Sequence, residues 1–463
     1  MIVMKFGGSS VADAERIRHV AEIVKTQVSR KPVLVLSAMG DTTDHLLEAA
    51  DEALRNGTVS IDRIKELHLK TMKDLQLSAE VQKNIVPLLD ELSQLLAGIS
   101  LIRELTKRTK DYLVSFGERL SVRIAAAYFN ELFTDRSLGL KAQGIDAWDA
   151  GFVSDSNFGS AELVKESWDL IPKKLIPLTD AGALPVVTGF IARDAEGNIT
   201  TLGRGGSDLS ATTIAAACKA EEAQVWKDVD GILTADPRIV KNAKPVGTVT
   251  YEEASELAYY GAQVLHPRAM QPCIKTGTPV LVKNSYNPEA PGTRIISAFE
   301  KRTLPVRAIT SRKNVTLIDI VSTRMLGQYG FLGEVFAAFA RYHLSVDMVA
   351  TSEVSISLTL DTAQDLDALK KDLSKIAKVD IRTGKAIVTI IGDVRRSSEI
   401  LARAFRTCEL IGVPVQMVSQ GASKVNISFI VDDTEAAETV RALHMDFFES
   451  LKLPDGAPFR SKT

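Results

Sequence analysis

Short apolar runs alternate with segments of helical period over the first ~285 residues of the chain. Residues 32–38 form an unbroken apolar run, as expected for a parallel strand buried on both faces. Residues 13–28 place their apolar positions on one helical face, and residues 42–133 are almost wholly helical in pattern. This order predicts an α/β fold with a mostly parallel sheet. Further strands are predicted at residues 2–6, 185–192, 199–202, 223–229 and 279–284, with a hairpin loop at 194–198.

The last ~150 residues contain one pattern twice. Asp361 in the first copy aligns with Asp432 in the second, at an offset of 71 residues. The pattern is typical of two βαββαβ units, whose small cores favour pairing side by side or across a subunit interface. The predicted strands and helices are 315–322, 330–343, 345–352, 354–361 and 363–377, and then 386–393, 398–412, 414–420, 425–432 and 435–449.

These patterns divide the chain into a large first domain and two small repeats. The first domain covers residues 1–285, and a linker and associated segment covers 286–310. The repeats cover residues 311–385 and 386–463. The Asn/Pro/Gly-rich stretch at 287–293 is the best linker candidate.

Composition excludes several classes of protein. Lys and Arg number 56 and Asp and Glu 58, a net charge of −2, so no broad basic surface for nucleic acid is expected. No stretch approaches the roughly 20 apolar residues of a membrane helix. The three cysteines, Cys218, Cys273 and Cys408, lack metal-ligand spacing and are expected to be buried in a reducing compartment. The N-terminus resembles no leader, which predicts a cytoplasmic location unless a leader was removed.

Lys5-Phe-Gly-Gly-Ser-Ser is the first candidate for chemistry. A strand that ends in Lys5 and runs through two glycines to a helix start places backbone N–H groups and a cation beside any bound phosphate. A plain strand-to-helix turn with a capping Ser is the alternative. No GxxxxGK[ST] motif is present.

A second glycine-rich segment, TTLGRGGSD, occupies residues 200–208. Its glycines, Ser207 and Asp208 stand at a helix start, and Arg204 can bind a carboxylate or phosphate through two parallel hydrogen bonds. The alternative is a helix cap by Ser207 or Asp208. Three glycines and an Arg exceed what a cap requires, which favours an anion site.

Two further segments carry charges in informative places. Lys227 and Asp228 end an apolar strand and enter a turn-rich loop, where ligands collect in open α/β sheets, although a solvated loop explains them equally well. SFGE at 115–118 interrupts a helical stretch with a glycine, which indicates a packing or ligand reason. Glu118 is a candidate for an ammonium group, and a surface ion pair with Arg119 or Arg123 is the alternative.

The sequence shows no nucleophile–His pair and no metal cluster. Two glycine-rich anion loops with Lys and Arg instead indicate phosphoryl transfer, in which a protein contributes mainly positioning and charge stabilisation.

Six segments taken together resemble the aspartate kinase family: KFGGSSV, SFGE, TTLGRGGSD, WKDVDG, DPR and GAQVLHP. The repeats, with STRMLGQYGFL, SVDMVATSEVSISLTLD and VQMVSQGASKVNISFIV, resemble its paired ACT domains. The match runs in order from about residue 2 to about residue 450 and is closest to monofunctional, lysine-sensitive, plant-type members. The resemblance implies an amino-acid-kinase α/β sandwich followed by two ferredoxin-like βαββαβ regulatory domains.

The resemblance implies that ATP and L-aspartate give 4-phospho-L-aspartate and ADP, in lysine, threonine and methionine biosynthesis. Magnesium would be held mostly by phosphates and water, with no dedicated protein cage. By the same resemblance, Lys5 would stabilise the transferring phosphoryl group and Asp208 would orient the cationic groups. Arg204 would bind the α-carboxylate of the substrate and Glu118 its ammonium group, with Ser37, Thr43 and Ser207 nearby. The residues implied around the phosphates are Gly7, Gly8 and Ser9, and those along the nucleotide are Lys227, Asp228, Asp236 and Arg238.

The resemblance also implies feedback inhibition at a site between ACT copies. Lysine is the expected effector, with its ammonium on Asp347, although a solvated or capping Asp explains this residue equally well; threonine and S-adenosylmethionine stay open. A homodimer or homotetramer through the ACT domains is expected, in the cytoplasm or, after loss of a transit peptide, the plastid stroma. The implied effector residues are Met325, Gly330, Phe331 and Leu332 on one edge and Ser345, Val346 and Asp347 on the other.

Three positions depart from the family pattern. Gln263 stands where several bacterial relatives have Lys, Leu233 replaces a frequent aromatic residue, and Asp44 stands where Asn is common. Two other functions compete with the main reading: a kinase of another amino-acid carboxylate, and a ligand sensor with an inactive kinase domain. The intact Lys5 and Asp208 segments argue against the second.

Overall fold

The computed structural model describes residues 1–135, 139–259, 265–298, 304–322, 329–361, 366–420 and 425–449. These residues form two compact units. The first unit contains residues up to 232, with 247–251 and the stretch that ends at 298. The second contains 233–246, the stretch from 252 and all described residues from 304 onward.

An eight-stranded sheet forms the centre of the first unit, in the order β3-β5-β2-β1-β8-β10-β11-β9. All neighbouring strands are parallel except β10 and β11, which confirms the prediction of a mostly parallel sheet. A small sheet, β4-β6-β7, contains the predicted hairpin. The strands are β1 Ile2–Phe6, β2 Pro32–Leu36, β3 Lys141–Ile145, β4 Val153–Ser154, β5 Ala183–Thr188, β6 Ile191–Asp194, β7 Ile199–Thr201, β8 Ala223–Lys227, β9 Thr248–Thr250, β10 Val280–Asn284 and β11 Thr293–Ile296.

Most helices of this unit bury one apolar face, whereas the helix Gly206–Ala217 is buried at most of its positions. Helix α1 begins after Asp13, whose side chain accepts a hydrogen bond from the Arg16 N–H at 2.9 Å. The helices of the first unit are α1 Ala14–Lys25, α2 Thr42–Asn56, α3 Asp62–Asp74, α4 Ala79–Ile102, α5 Lys107–Asp135, α6 Lys165–Asp180, α7 Gly206–Ala217 and α9 Pro267–Thr276; α8 Tyr251–Tyr259 runs from the first unit into segments of the second.

Helix α4 is long and apolar enough, by length and composition alone, to cross a membrane. Such a result from one helix is weak evidence, because core helices of globular proteins pass the same test. Its buried positions, which include Leu89, Leu92 and Leu96, follow a helical period and belong to the hydrophobic core of the first unit.

The second unit is built on one six-stranded sheet, in the order β13-β14-β12-β15-β17-β16. The two repeats therefore pair side by side, which is the first of the two predicted arrangements. The elements are β12 Val306–Val321, α10 Phe331–Arg341, β13 Val346–Thr351, β14 Ser355–Asp361, α11 Leu366–Leu373, β15 Lys378–Gly392, α12 Ser397–Leu410, β16 Met417–Ser419, β17 Asn426–Asp432 and α13 Ala436–Phe448.

The repeats exchange strands at their junction. The first half of β12 pairs with the second half of β15, and the second half of β12 pairs with the first half of β15 and with β14. Because both strands cross the junction, the second repeat takes one strand from residues 306–312, and the first repeat extends into 378–382. The strands predicted at 315–322 and 386–393 are therefore parts of longer ones.

The single strand predicted at 185–192 is wrong. Strand β5 ends at Thr188 and β6 begins at Ile191 in another sheet. Between them Phe190 adopts a φ of 69°, and its N–H donates to the Ser210 hydroxyl at 3.1 Å. The apolar run is continuous in sequence, but this turn redirects the chain.

Candidate active site

A cleft of about 1080 Å³ opens in the first unit. The strand ends of β1 and β2 form its base, α5 forms one wall, and the glycine-rich loop before α7 forms another. The lining residues are Lys5, Gly8, Ser37, Ala38, Gly40, Thr43, Asp44, Leu47, Lys107, Lys110, Asp111, Val114, Glu118, Asn157, Phe158, Gly159, Ser160, Phe190, Thr201, Gly203, Arg204, Gly205, Gly206, Ser207 and Asp208.

Lys5, Lys227 and Asp208 form an ion cluster at the base, in which Lys5 and Asp208 are buried and Lys227 is partly exposed. Strands β1 and β8 are parallel neighbours, so the lysines at their carboxyl ends lie at one sheet edge. The Asp208 carboxylate lies 2.7 Å from Lys5 Nζ and 3.2 Å from Lys227 Nζ. Burial favours the neutral acid, but the charges and hydrogen bonds of Lys5 and Lys227 outweigh it and lower the pKa of Asp208. The carboxylate therefore stays ionised and fixes both ammonium groups.

Glu118 lies on α5, with 3% of its surface exposed. One carboxyl oxygen accepts a hydrogen bond from the Ala38 N–H at 3.3 Å. The other oxygen is buried without a hydrogen-bond partner in the described part of the chain. Burial raises the pKa of Glu118 to about 8, against the opposing effects of its backbone hydrogen bonds and the Lys5 charge. The cleft therefore contains a buried carboxyl group whose ionised form a bound cation would stabilise.

The alternative of an ion pair between Glu118 and a neighbouring arginine is wrong. Arg119 points to Glu91, with 3.7 Å between the charged atoms, and Arg123 makes two hydrogen bonds to Asp146. Arg119 is one residue and Arg123 five residues after Glu118, so at about 3.6 residues per turn both side chains leave α5 on other faces than Glu118.

Gly117 has a packing reason for its place inside α5. A Cβ atom at this position would lie 2.7 Å from the Ala38 side chain, closer than real Cβ contacts. Only glycine lets the helix approach the strand end closely enough for Glu118 to reach the Ala38 N–H.

The other predicted substrate residues also line the cleft. Ser37 follows β2, Thr43 stands in the first turn of α2, and Ser207 is the second residue of α7. Arg204 is exposed, and its guanidinium group has no ion pair within the described residues. Asp44, one of the departures from the family pattern, lies beside Thr43 and lines the cleft as well.

The predicted nucleotide residues divide between the two units. Gly8 lines the cleft, the Gly7 carbonyl accepts from the Ser10 N–H at 3.0 Å, and the Ser9 carbonyl accepts from the Tyr286 hydroxyl at 3.1 Å. Lys227 reaches the site through Asp208, and Asp228 is exposed just after β8.

Asp236 and Arg238 belong to the second unit, as does Leu233. The Arg238 guanidinium group lies 2.7 Å from the Asp236 carboxylate, and its hydrogen bond lowers the pKa of Asp236 against the effect of burial. Gln263 lies outside the described residues.

The predicted effector residues follow two elements of the first repeat. Gly330, with a φ of 88°, caps α10, whose first residues are Phe331 and Leu332. Ser345 precedes β13, which begins with Val346 and Asp347.

The Asp347 side chain is 3% exposed, with 3.6 Å between its carboxylate and an Arg312 nitrogen. The solvated alternative for Asp347 is therefore wrong, because the carboxylate is buried against a cation. Met325 lies outside the described residues.

Sequence reasoning missed a group of residues on the wall opposite the base. Lys107, Lys110 and Asp111 line the cleft from the first turns of α5, and the loop 157–160 faces the same space. Asp111 and Glu118 are seven residues apart, which places both on one helical face, and this spacing was the available signal.

Among the described residues, no three His, Cys, Asp or Glu side chains converge as a metal-binding group. Asp208 is already neutralised by two lysines, so the base of the cleft offers no free carboxylate cage. This donor set fits a magnesium ion held mainly by phosphate oxygens and water.

Comparison with known proteins places the chain in a family. The amino acid kinase family model matches residues 1–284, and an ACT domain model matches 318–371 and 388–447. Aspartokinase 1, chloroplastic, of Arabidopsis thaliana is 49% identical over 486 residues, which cover 99% of this chain and 84% of the relative. The chain belongs to the aspartokinase family.

Solved structures of the aspartokinase family agree with this assignment. Escherichia coli aspartokinase III in complex with lysine and aspartate, in the T-state, is 33% identical with a TM-score of 0.79, over 97% of this chain and 99% of that chain. The same protein with aspartate and ADP, in the R-state, is 32% identical with a TM-score of 0.77, over 97% and 100%. The family resemblance and the fold class predicted from the motifs are both confirmed.

Proposed function

We propose that this chain transfers the γ-phosphoryl group of ATP to the side-chain carboxylate of L-aspartate. The products are 4-phospho-L-aspartate and ADP. The observation that carries the proposal is the Lys5–Asp208–Lys227 ion cluster at the base of a cleft that also contains Glu118 and Arg204. The cluster supplies positive charge where phosphoryl transfer develops negative charge.

The amino acid is held by two opposite charges. Glu118 pairs with the ammonium group, and Arg204 binds the α-carboxylate, while Ser37, Thr43 and Ser207 donate hydrogen bonds. The side-chain carboxylate is then directed towards the base of the cleft. It needs no deprotonation near neutral pH, so the protein needs no general base for this step.

One carboxylate oxygen attacks the γ-phosphorus, and the bond to the β–γ bridging oxygen breaks with its electron pair leaving on ADP. Lys5 neutralises the transferring oxygens, and Asp208 keeps Lys5 and Lys227 in place. Gly7, Gly8 and Ser9 surround the phosphates, and Lys227 and Asp228 lie along the nucleotide; for Asp236 and Arg238, which belong to the second unit, this role rests on the family resemblance alone. A magnesium ion would be held by the nucleotide phosphates and water, since the base of the cleft offers no free carboxylate cage, and would supply further charge stabilisation.

Trapping the acyl phosphate with hydroxylamine tests this reaction. Aspartate should give a hydroxamate with ATP, and glutamate, N-acetylglutamate and bicarbonate should not. Lys5→Ala and Asp208→Ala should abolish the signal. A hydroxamate with another acid but not aspartate would favour the kinase of another carboxylate, and ligand binding without turnover would favour the inactive sensor.

We further propose that lysine inhibits the enzyme by binding at the first repeat. The support is the Asp347 carboxylate, which is 3% exposed at the start of β13, in the repeat that also carries Gly330, Phe331 and Leu332 at the start of α10. Met325, Ser345 and Val346 are included because the family resemblance implies them. The lysine ammonium would share Asp347 with Arg312. Titration with lysine, threonine, methionine and S-adenosylmethionine should show inhibition by lysine, and Asp347→Ala should weaken it at least tenfold. Unchanged inhibition in this variant would remove the site.

We assign one role to each of the predicted domains. Residues 1–285 perform catalysis, 286–310 join the domains, and 311–385 and 386–463 are regulatory. We propose a homodimer or homotetramer through the ACT domains, to be measured by light scattering with and without lysine. For the compartment we propose the plastid stroma, as for the chloroplastic relative, or the cytoplasm, which a fluorescent fusion would distinguish.

A further inference from the structure

Asp111 holds two separate chain segments from one position on α5. It is 2% exposed, and its carboxylate accepts three hydrogen bonds. The Gly159 N–H donates at 2.9 Å, and the Thr201 N–H and hydroxyl both donate at 2.8 Å. These bonds tie the loop 157–160 and the end of β7 to the helix that carries Glu118.

Arg268 holds the same two segments from the opposite side. Its guanidinium group donates to the Leu202 carbonyl at 2.8 Å, to the Ala161 carbonyl at 2.8 Å and to the Ser160 hydroxyl at 3.1 Å. Arg268 stands near the start of α9, so three elements distant in sequence meet at this point. Asp111 and Arg268 together are called the loop clamp below.

The loop clamp acts on the residues next to Arg204. Thr201 and Leu202 are its attachment points, and only Gly203 separates them from Arg204. Asp111 is two helical turns before Glu118. The clamp therefore fixes the position of the segment bearing Arg204 relative to the helix bearing Glu118.

We propose that Asp111 and Arg268 are positioning residues for the amino-acid substrate, which they serve by setting the spacing between Glu118 and Arg204. This inference rests on the proposed function. A substrate held by its ammonium and α-carboxylate groups is sensitive to that spacing, because a shift of about 1 Å can cost ~10²-fold in rate. Gly7, Gly8 and Ser9, which would surround the phosphates, lie outside the segments that Asp111 and Arg268 bind.

Asp111→Ala and Asp111→Asn distinguish the effect of the hydrogen bonds of Asp111 from the effect of its charge. An Asn can accept the two N–H bonds with its oxygen and donate to the Thr201 hydroxyl with its amide nitrogen. We expect Asp111→Ala to raise the KM for aspartate at least tenfold and to change the KM for ATP less than twofold. Asp111→Asn should stay within threefold of the wild type in both constants. Arg268→Ala should repeat the selective effect of Asp111→Ala.

Asp146→Ala is the matched control, since Asp146 is also buried and also binds α5, through Arg123. It should lower Tm without changing the KM for aspartate selectively. If Asp111→Ala does not fold, Thr201→Val removes only the hydroxyl bond and should still raise the KM for aspartate several-fold. A KM for aspartate within twofold of the wild type, or an equal rise in both KM values, would overturn the proposal.

Hydrogen exchange of the amides separates the clamp from the proposed function. In Asp111→Ala the peptides covering 157–161 and 199–205 should exchange faster than in the wild type, and in Asp111→Asn they should not. If the wild type gives no product with aspartate, the proposed function fails, and exchange alone then decides whether the clamp exists. Unchanged exchange in Asp111→Ala would overturn the clamp whatever the substrate.

Discussion

Glu118→Gln tests the proposed recognition of the substrate ammonium group with matched size and no charge. With a pKa of about 8, roughly one free enzyme molecule in eleven carries an ionised Glu118 at pH 7. The value of kcat/KM for aspartate reports the free enzyme, so it should rise about tenfold per pH unit below about pH 7, reach half of its maximum near pH 8 and level off near pH 9. In the Gln variant this rise should disappear.

The size of the decrease in kcat/KM at high pH, where kcat/KM levels off, follows from the burial of the ion pair between Glu118 and the substrate ammonium group. Removing one partner of a buried ion pair costs about 3–5 kcal/mol, which corresponds to a decrease of about 10²- to 5×10³-fold in kcat/KM. The decrease should fall on aspartate rather than ATP. A coupled assay of ADP release between pH 6 and 9 measures both constants.

The stability of Glu118→Gln should increase, although its activity decreases. The pKa of Glu118 rises from 4.5 to about 8 on folding, so the folded state takes up a proton and the stability contributed by this group falls as pH rises from 4.5 to 8. At pH 7 this penalty is about 3 kcal/mol, which Gln avoids in part, so the Tm of Glu118→Gln should increase.

Glu222→Gln serves as the control, because Glu222 is also buried but binds Arg30 outside the cleft. It should lower Tm and leave the pH profile in place. A wild-type profile that is flat between pH 6 and 8, or an inflection that persists in Glu118→Gln, would refute the role of Glu118.

Three further predictions concern packing, acid stability and the ion cluster. Gly117→Ala should cost about 1–3 kcal/mol because its Cβ would meet the Ala38 side chain, whereas Gly98→Ala in α4, with open space around it, should gain about 0.5–1 kcal/mol; urea unfolding measures both. Burial lowers the pKa of His68 to about 4, so the stability that the neutral imidazole contributes is fully present above pH 6.5. The free energy of unfolding should fall by about 2.5 kcal/mol between pH 7.5 and 4.5, and His68→Gln should remove this loss. Asp208→Asn should reduce kcat at least ~100-fold, because the buried Lys5 ammonium group and the partly exposed one of Lys227 then lose their carboxylate. An unchanged kcat would exclude the cluster from catalysis.

The sequence predicted local features well because their causes are local. Glycines next to Lys5 and Arg204, and apolar periods along β1 and α1, specify turns and elements without knowledge of the fold. The cleft does bring Lys5, Glu118 and Arg204 together, although they come from separate segments. Here the family motifs supplied the connection that composition and periodicity lack.

The features that the sequence did not predict depend on distant parts of the chain. The pairing of β12 with β15 turns two expected strands into longer ones, because each continues into the neighbouring repeat. The three hydrogen bonds of Asp111 come from residues 48 and 90 positions away. The placement of Asp236 in the second unit likewise depends on packing with residues far along the chain, such as those around Ala235 in that unit's core.

Phosphorylation of aspartate is tested most directly by ³¹P NMR of the wild type with ATP, magnesium and L-aspartate. We expect an acyl-phosphate resonance that grows together with ADP, disappears on addition of hydroxylamine and is absent in Lys5→Ala. Release of inorganic phosphate and ADP with no acyl-phosphate intermediate, or an acyl phosphate formed only from a different carboxylic acid, would contradict it.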